Sequence, residues 1–158
     1  MDETRRLLRH LVATIAYRGG KAVREAPDTF AAFKAADSVR TPVQILAHVG
    51  DLFDWALAIA RGAESWHESP PLGWDDEARR FFGTLGRFDE YLASDQPLAI
   101  SADRLIQGPL ADALTHVGQL TMLRRMAGAR IRSENYARAD ITPGRVGAGQ
   151  TPPQREFD

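Results

Sequence analysis

Three side chains in this sequence stand where polar chemistry is costly unless something compensates it. On the stretch Pro109–Ala127, read as a helix at about 100° per residue, Asp112, His116, Leu120, Leu123 and Ala127 share one broad face. On an earlier stretch, Ile45, His48, Leu52, Trp55, Ala56 and Ile59 form a second apolar stripe that His48 interrupts. An unpaired polar group taken out of water costs about 1–3 kcal/mol. A hydrogen bond, a water-filled cleft or a metal ion should therefore accompany these residues. Carboxylate and imidazole at i and i+4 is the spacing by which one helix offers two ligands to one ion. With His48 added, the set holds two nitrogens and one oxygen. Zinc accepts such a set with water completing its shell, and nickel or Fe(II) can use the same donors. The spacing fits equally well a His–Asp hydrogen-bonded pair with no ion, or residues that never meet.

Other chemistries find less support. The chain has no cysteine, which excludes disulfides, thiolate ligation and a cysteine nucleophile. A Ser–His–Asp triad lacks its serine, because Thr115 adjoins His116 in sequence but points elsewhere on the helix. Gly144-Arg145-Val146-Gly147 is not a phosphate loop leading into a helix. A formal charge of −1 and the lack of a basic stripe with interleaved aromatics argue against nucleic acid and an anionic membrane as partners. His10 lies opposite an apolar stripe and His67 falls in a loop without a spaced partner, so both read as solvated. The N-terminus has acids ahead of its arginines and a broken apolar run, a poor signal peptide. No stretch reads as about 18 consecutive apolar residues, and a cytoplasmic protein is expected.

Four helical patterns must position these groups. The first runs from Glu3 to about Ala26 on Leu8, Leu11, Val12 and Ile15, with Gly19-Gly20 a candidate bend. Pro27–Arg40 connects, and Asp28 could cap a short helix carrying Phe30 and Phe33 inward. Thr41-Pro42-Val43-Gln44 is a strong helix start, and the second helix stops near Gly62. Asp51 and Asp54 fall on its flank. A loop with Trp66, Pro70 and Pro71 leads past Trp74 to a third helix, capped by Asp75 or Asp76 and ending near Ser94, with Phe81, Leu85, Phe88 and Leu92 as its core stripe. A loop to about Gln107 precedes the fourth helix, which stops near Gly128. Beyond Arg130 periodicity vanishes, and Tyr136, Ile141 and Val146 could anchor the first part of the tail. The expectation is an all-α, four-helix bundle over residues 1–130, with an irregular tail over 131–158 belonging to the same domain.

The stretch AHVGDLFDW, Ala47–Trp55, together with HVGQL, His116–Leu120, resembles the DinB/YfiT-like proteins. Gln107–Gly128 is the closest match, and the similarity extends into Asn135-Tyr136 and the Gly144–Gly147 tail. The resemblance implies a bundle of up-down-down-up type, commonly a homodimer, with a divalent ion between helices. The family's pattern has one histidine on the second helix and two on the last. His48 matches the first position and His116 the last, and Asp112 stands where the remaining histidine is usual. Implied activities are those of a metal-dependent hydrolase or a thiol-dependent transferase or isomerase acting on a small molecule, with a low-molecular-weight thiol as possible cofactor. On that reading Asp51 orients His48 or acts as a base, and Gln119 orients a ligand. The substrate would enter beside the Trp66 loop and the tail. A second stripe, Leu110, Leu114, Val117 and Thr121, would suit a dimer. The alternative is a non-catalytic dimeric bundle with a structural metal or a small-ligand pocket.

Overall fold

The first two helices start on side chains that satisfy free amides at their N-termini. A computed structural model, which describes residues 2–158, places α1 at Glu3–Val23, where the cap Asp2 accepts from the Arg5 amide at 2.8 Å. In α2, Pro42–Ala60, the Thr41 amide donates to Gln44 Oε1 at 2.8 Å, as the Thr-Pro-Val-Gln pattern predicts. α3 spans Trp74–Ala93 and is capped by Gly73 rather than by Asp75 or Asp76. Those two and Glu77 lie inside the first turn, where negative charge favours the helix N-terminus. Glu77 Oε1 also accepts from the Leu72 amide at 2.9 Å.

The last helical segment begins earlier than its proline suggests. α4, Ala102–Leu105, passes through a π turn over Ile106–Leu110 into α5, Ala111–Met126. Gly108 leaves helical geometry at φ −91° and ψ −106°, and Pro109 has no N–H to donate. The turn widens there without ending the helix. Periodicity cannot carry across it, because the wider turn shifts the register, and so the expected loop up to Gln107 is corrected to a helical start. Gly62 and Gly128, at φ +83° and +72°, stop α2 and α5 where their sequence positions suggest.

Gly19 and Gly20 do not bend α1, which continues to Val23. A Cβ on Gly19 would sit 2.5 Å from Phe81 Cζ and 3.3 Å from Val117 Cγ2. The missing side chain lets α1 lie close against α3 and α5. α1 and α2 each pack on α3 and α5, and the predicted stripes meet in one core that includes Val12, Ile15, Val49, Leu52, Phe81, Leu85, Phe88 and Leu120. Leu110 and Val117 are buried in that same core, and Leu114 and Thr121 are half-buried. Phe30 is buried and Phe33 half-buried, but residues 28–32 form turns rather than a short helix. α2 is long and apolar enough, by length and composition, to cross a membrane. More than half of that stretch is buried within the protein, the pattern of a core helix.

The tail is ordered along α1. β1, Ser133–Glu134, pairs antiparallel with β2, Glu156–Phe157. Tyr17 donates its hydroxyl to Glu134 Oε1 at 2.8 Å, and Lys21 Nζ donates to Glu134 Oε2 at 2.9 Å and lies 2.7 Å from Glu156 Oε1. Val146 is buried, Ile141 packs on the core and Tyr136 meets Tyr17 edge-on. These two-residue strands carry no sequence pattern of their own.

Candidate metal centre

His48, Asp112 and His116 come together. α2 brings His48 to the seam with α5, and one turn of α5 separates Asp112 from His116. The two imidazole centroids are 4.7 Å apart. Asp112 sits between them, with Oδ2 3.7 Å from His48 Nε2 and Oδ1 3.7 Å from His116 Nδ1. These separations are too long for hydrogen bonds. A tetrahedral ion with bonds of about 2.0–2.1 Å holds its ligand atoms roughly 3.4 Å apart, close to what is seen here. One ligand atom from each residue falls within 4.8 Å of the others, so the group could hold a metal ion.

The burial pattern supports the fit. The His116 side chain is only 12% exposed, and neither of its ring nitrogens has a hydrogen-bond partner among the described residues. Burial pushes the His116 imidazolium down, and His48 and Arg40 push the same way, against the single opposing pull of Asp112. These influences favour the neutral imidazole, the form that ligates a metal. An ion would satisfy one of its orphaned nitrogens. Asp112 is 46% exposed, so the site faces solvent on its carboxylate side.

Two cavities flank the imidazoles. One of about 430 Å³ lies beside His48, and one of about 360 Å³ lies beside His116 and Gln119. Gln119 is exposed. The residues lining both cavities come from the connector before α2, from α2, from the 63–73 loop and from α5. The tail lies along α1, held by Glu134, and lines neither of these two cavities. Trp66 does approach the site, edge-on to His48 at 5.6 Å and to Trp55 at 6.0 Å.

Asp51 is buried, 2% exposed, rather than on an open flank. It borders the His48 cavity, but its oxygens are already engaged. Oδ2 accepts from the Ser69 amide at 2.9 Å, and Oδ1 accepts from Ser69 Oγ at 2.7 Å and from the Arg80 guanidinium. Burial alone would raise its carboxyl, and the Ser69 and Arg80 donors outweigh that and hold it low. Asp51 thus fastens the 63–73 loop to α2 and α3. His67 is solvent-exposed as expected, yet its Nε2 lies 3.2 Å from Asp51 and 3.7 Å from Asp54. Asp51, Asp54 and His67 form a second group that could hold an ion. Arg80 and Arg87 already neutralise those carboxylates, so this group fits a salt-bridge cluster better than a metal. Sequence reasoning missed Arg40, Ser69 and Arg80. Only Arg40 had a local signal, its position directly before the Thr41 cap.

Comparison of the chain with protein-family models, with curated proteins and with solved structures returned no match.

Proposed function

We propose that this chain is a DinB/YfiT-like divalent-metal protein, its helices arranged as an up-down-down-up four-helix bundle. His48, Asp112 and His116 would hold zinc or nickel, with Fe(II) a further option, and the protein would act on a small molecule as a metal-dependent hydrolase or thiol-dependent transferase. The observation that carries this reading is the buried pair of unpartnered His116 nitrogens beside a carboxylate and a second imidazole. The ion would supply an open position at which a bound water or thiol loses its proton near neutral pH. The chain's own residues then have distinct tasks. Asp112 supplies the one negative charge of the donor set, and Gln119 presents an exposed amide at the His116 cavity to orient a ligand. Asp51 fits a positioning role, since its oxygens hold Ser69 and Arg80. Trp66, carried by that fastened loop, shields one side of His48 from water.

Cavities beside both imidazoles favour a catalytic site over a closed structural one. A homodimer remains part of the proposal, without support from Leu110 and Val117, which are spent in the chain's own core. The test is elemental analysis of untagged wild-type and His116→Ala proteins purified side by side. Stoichiometric zinc or nickel in the wild type and its loss in the variant are expected. A wild type that stays far below stoichiometric after supplementation with either metal sinks the proposal.

A further inference from the structure

The cavities on the two sides of the imidazole pair differ in character, and Arg40 lines both. Beside His48 the wall is mixed, with Gln44, Glu68 and Ser69 next to Pro70 and Pro71. Beside His116 it is largely apolar, with Val39, Ile45, Met122 and Leu123. Val39 and Met122 are 39% and 56% exposed, so apolar surface stands open where a ligand's hydrocarbon part would remove it from water. Among the described residues Arg40 has one ionic partner, Glu68, at 4.0 Å, the outer limit of an ion pair. The three arginines of the neighbouring α3 are committed elsewhere, Arg79 to Asp76, Arg80 to Asp51 and Arg87 to Asp54. Gln44 spends its carbonyl oxygen on the Thr41 amide, which fixes the side chain and leaves its NH₂ group to donate. Arg40, a planar guanidinium suited to a carboxylate, therefore borders the apolar recess, and Gln44 offers a second donor from the adjoining cavity that Arg40 also lines.

Charge points the same way. Asp112 is the only anion among the three proposed ligands, so a divalent ion leaves that set net positive, and the long, exposed contact to Glu68 offsets Arg40 only weakly. We infer that the site selects a small amphipathic carboxylate, its carboxylate held by Arg40 and Gln44 and its apolar body lying over Val39, Met122 and Leu123. This places a portion of the ligand next to the two imidazoles and names the substrate class of the metal site, on whose reading it rests.

Calorimetric titration of zinc-supplemented and metal-stripped protein with hexanoate, acetate, hexan-1-ol and hexylammonium tests the inference, with metal content measured on the same samples. Hexanoate should bind more tightly than each of the other three. Arg40→Gln should weaken hexanoate by about fivefold, the scale of a half-exposed charged contact, while leaving hexan-1-ol unchanged. Arg40→Lys should retain most of the hexanoate affinity. Arg40 lies on the surface, and thermal melting of each variant verifies that it is folded. Equal affinity for hexanoate and hexan-1-ol, or an Arg40→Gln protein that binds hexanoate as the wild type does, overturns the inference. If no metal is taken up but hexanoate still binds through Arg40, the metal reading falls and the carboxylate selectivity stands. If metal is stoichiometric and Arg40→Gln has no effect, the selectivity falls alone.

Discussion

Asp112 determines the charge of the two-imidazole site. Its oxygens stand 3.7 Å from each histidine, and it is the most exposed of the three groups. A carboxylate there favours a harder ion than a third imidazole would. Asp112→His should preserve zinc binding, because it restores a set of three nitrogens. Asp112→Ala should weaken it by more than the roughly 10–100-fold that follows loss of a group merely supporting a ligand. Competition with a zinc-chelating dye measures both. Equal zinc affinity in wild type and Asp112→Ala would remove Asp112 from the donor set.

At the scale of elements, the 63–73 loop depends on a latch buried beneath it. It carries Trp66 to the edge of His48, and Ser69 ties it to Asp51 through both backbone and side chain. Asp51→Ala removes both of those bonds, while Arg80 keeps Asp54 as a partner. The expected result is faster amide exchange and earlier proteolysis across 63–73, a change in Trp fluorescence, and unchanged exchange in the core of α1. Hydrogen-exchange mass spectrometry checks this. Unaltered exchange in the loop would show that the prolines and Trp66 hold it without Asp51.

For the whole molecule, the tail is secured by one buried charge cluster. Burial alone would raise the Glu134 carboxyl, but Lys21, Tyr17 and the Gln154 amide outweigh that and hold it below the ordinary value. Its ionised form is thus favoured by folding, and the stability it contributes is present above the unfolded-state value. That contribution is lost as pH falls below about 4.3 and on through the depressed folded-state value. Glu134→Gln should lower stability at neutral pH by roughly 2 kcal/mol, the scale of hydrogen bonds to a charged group, and should flatten the acid limb of a melting-temperature profile. An acid limb as steep as that of the wild type would assign the pH dependence to other carboxylates.

Much of the fold was legible because it depends on local chemistry. The Thr41–Gln44 cap, the stops at Gly62 and Gly128 and the apolar stripes all act over a few residues. His48, Asp112 and His116 were legible for the same reason, as polar intruders on stripes that had to face inward. What the sequence alone determined was thus the all-α class, most helix limits and the identity of the three intruding groups. Tertiary structure decided the rest. The π turn at Gly108-Pro109 set the register of α5 relative to α4. The latch on Asp51 joins residues 18 to 29 positions apart, and the Glu134 cluster joins residues 113 and 117 positions apart. Arg40 became a candidate ligand-binding residue only when the connector, α2 and α5 closed around two cavities. Periodicity reports which face of a helix is buried, but only packing decides which buried groups meet and which charges remain free.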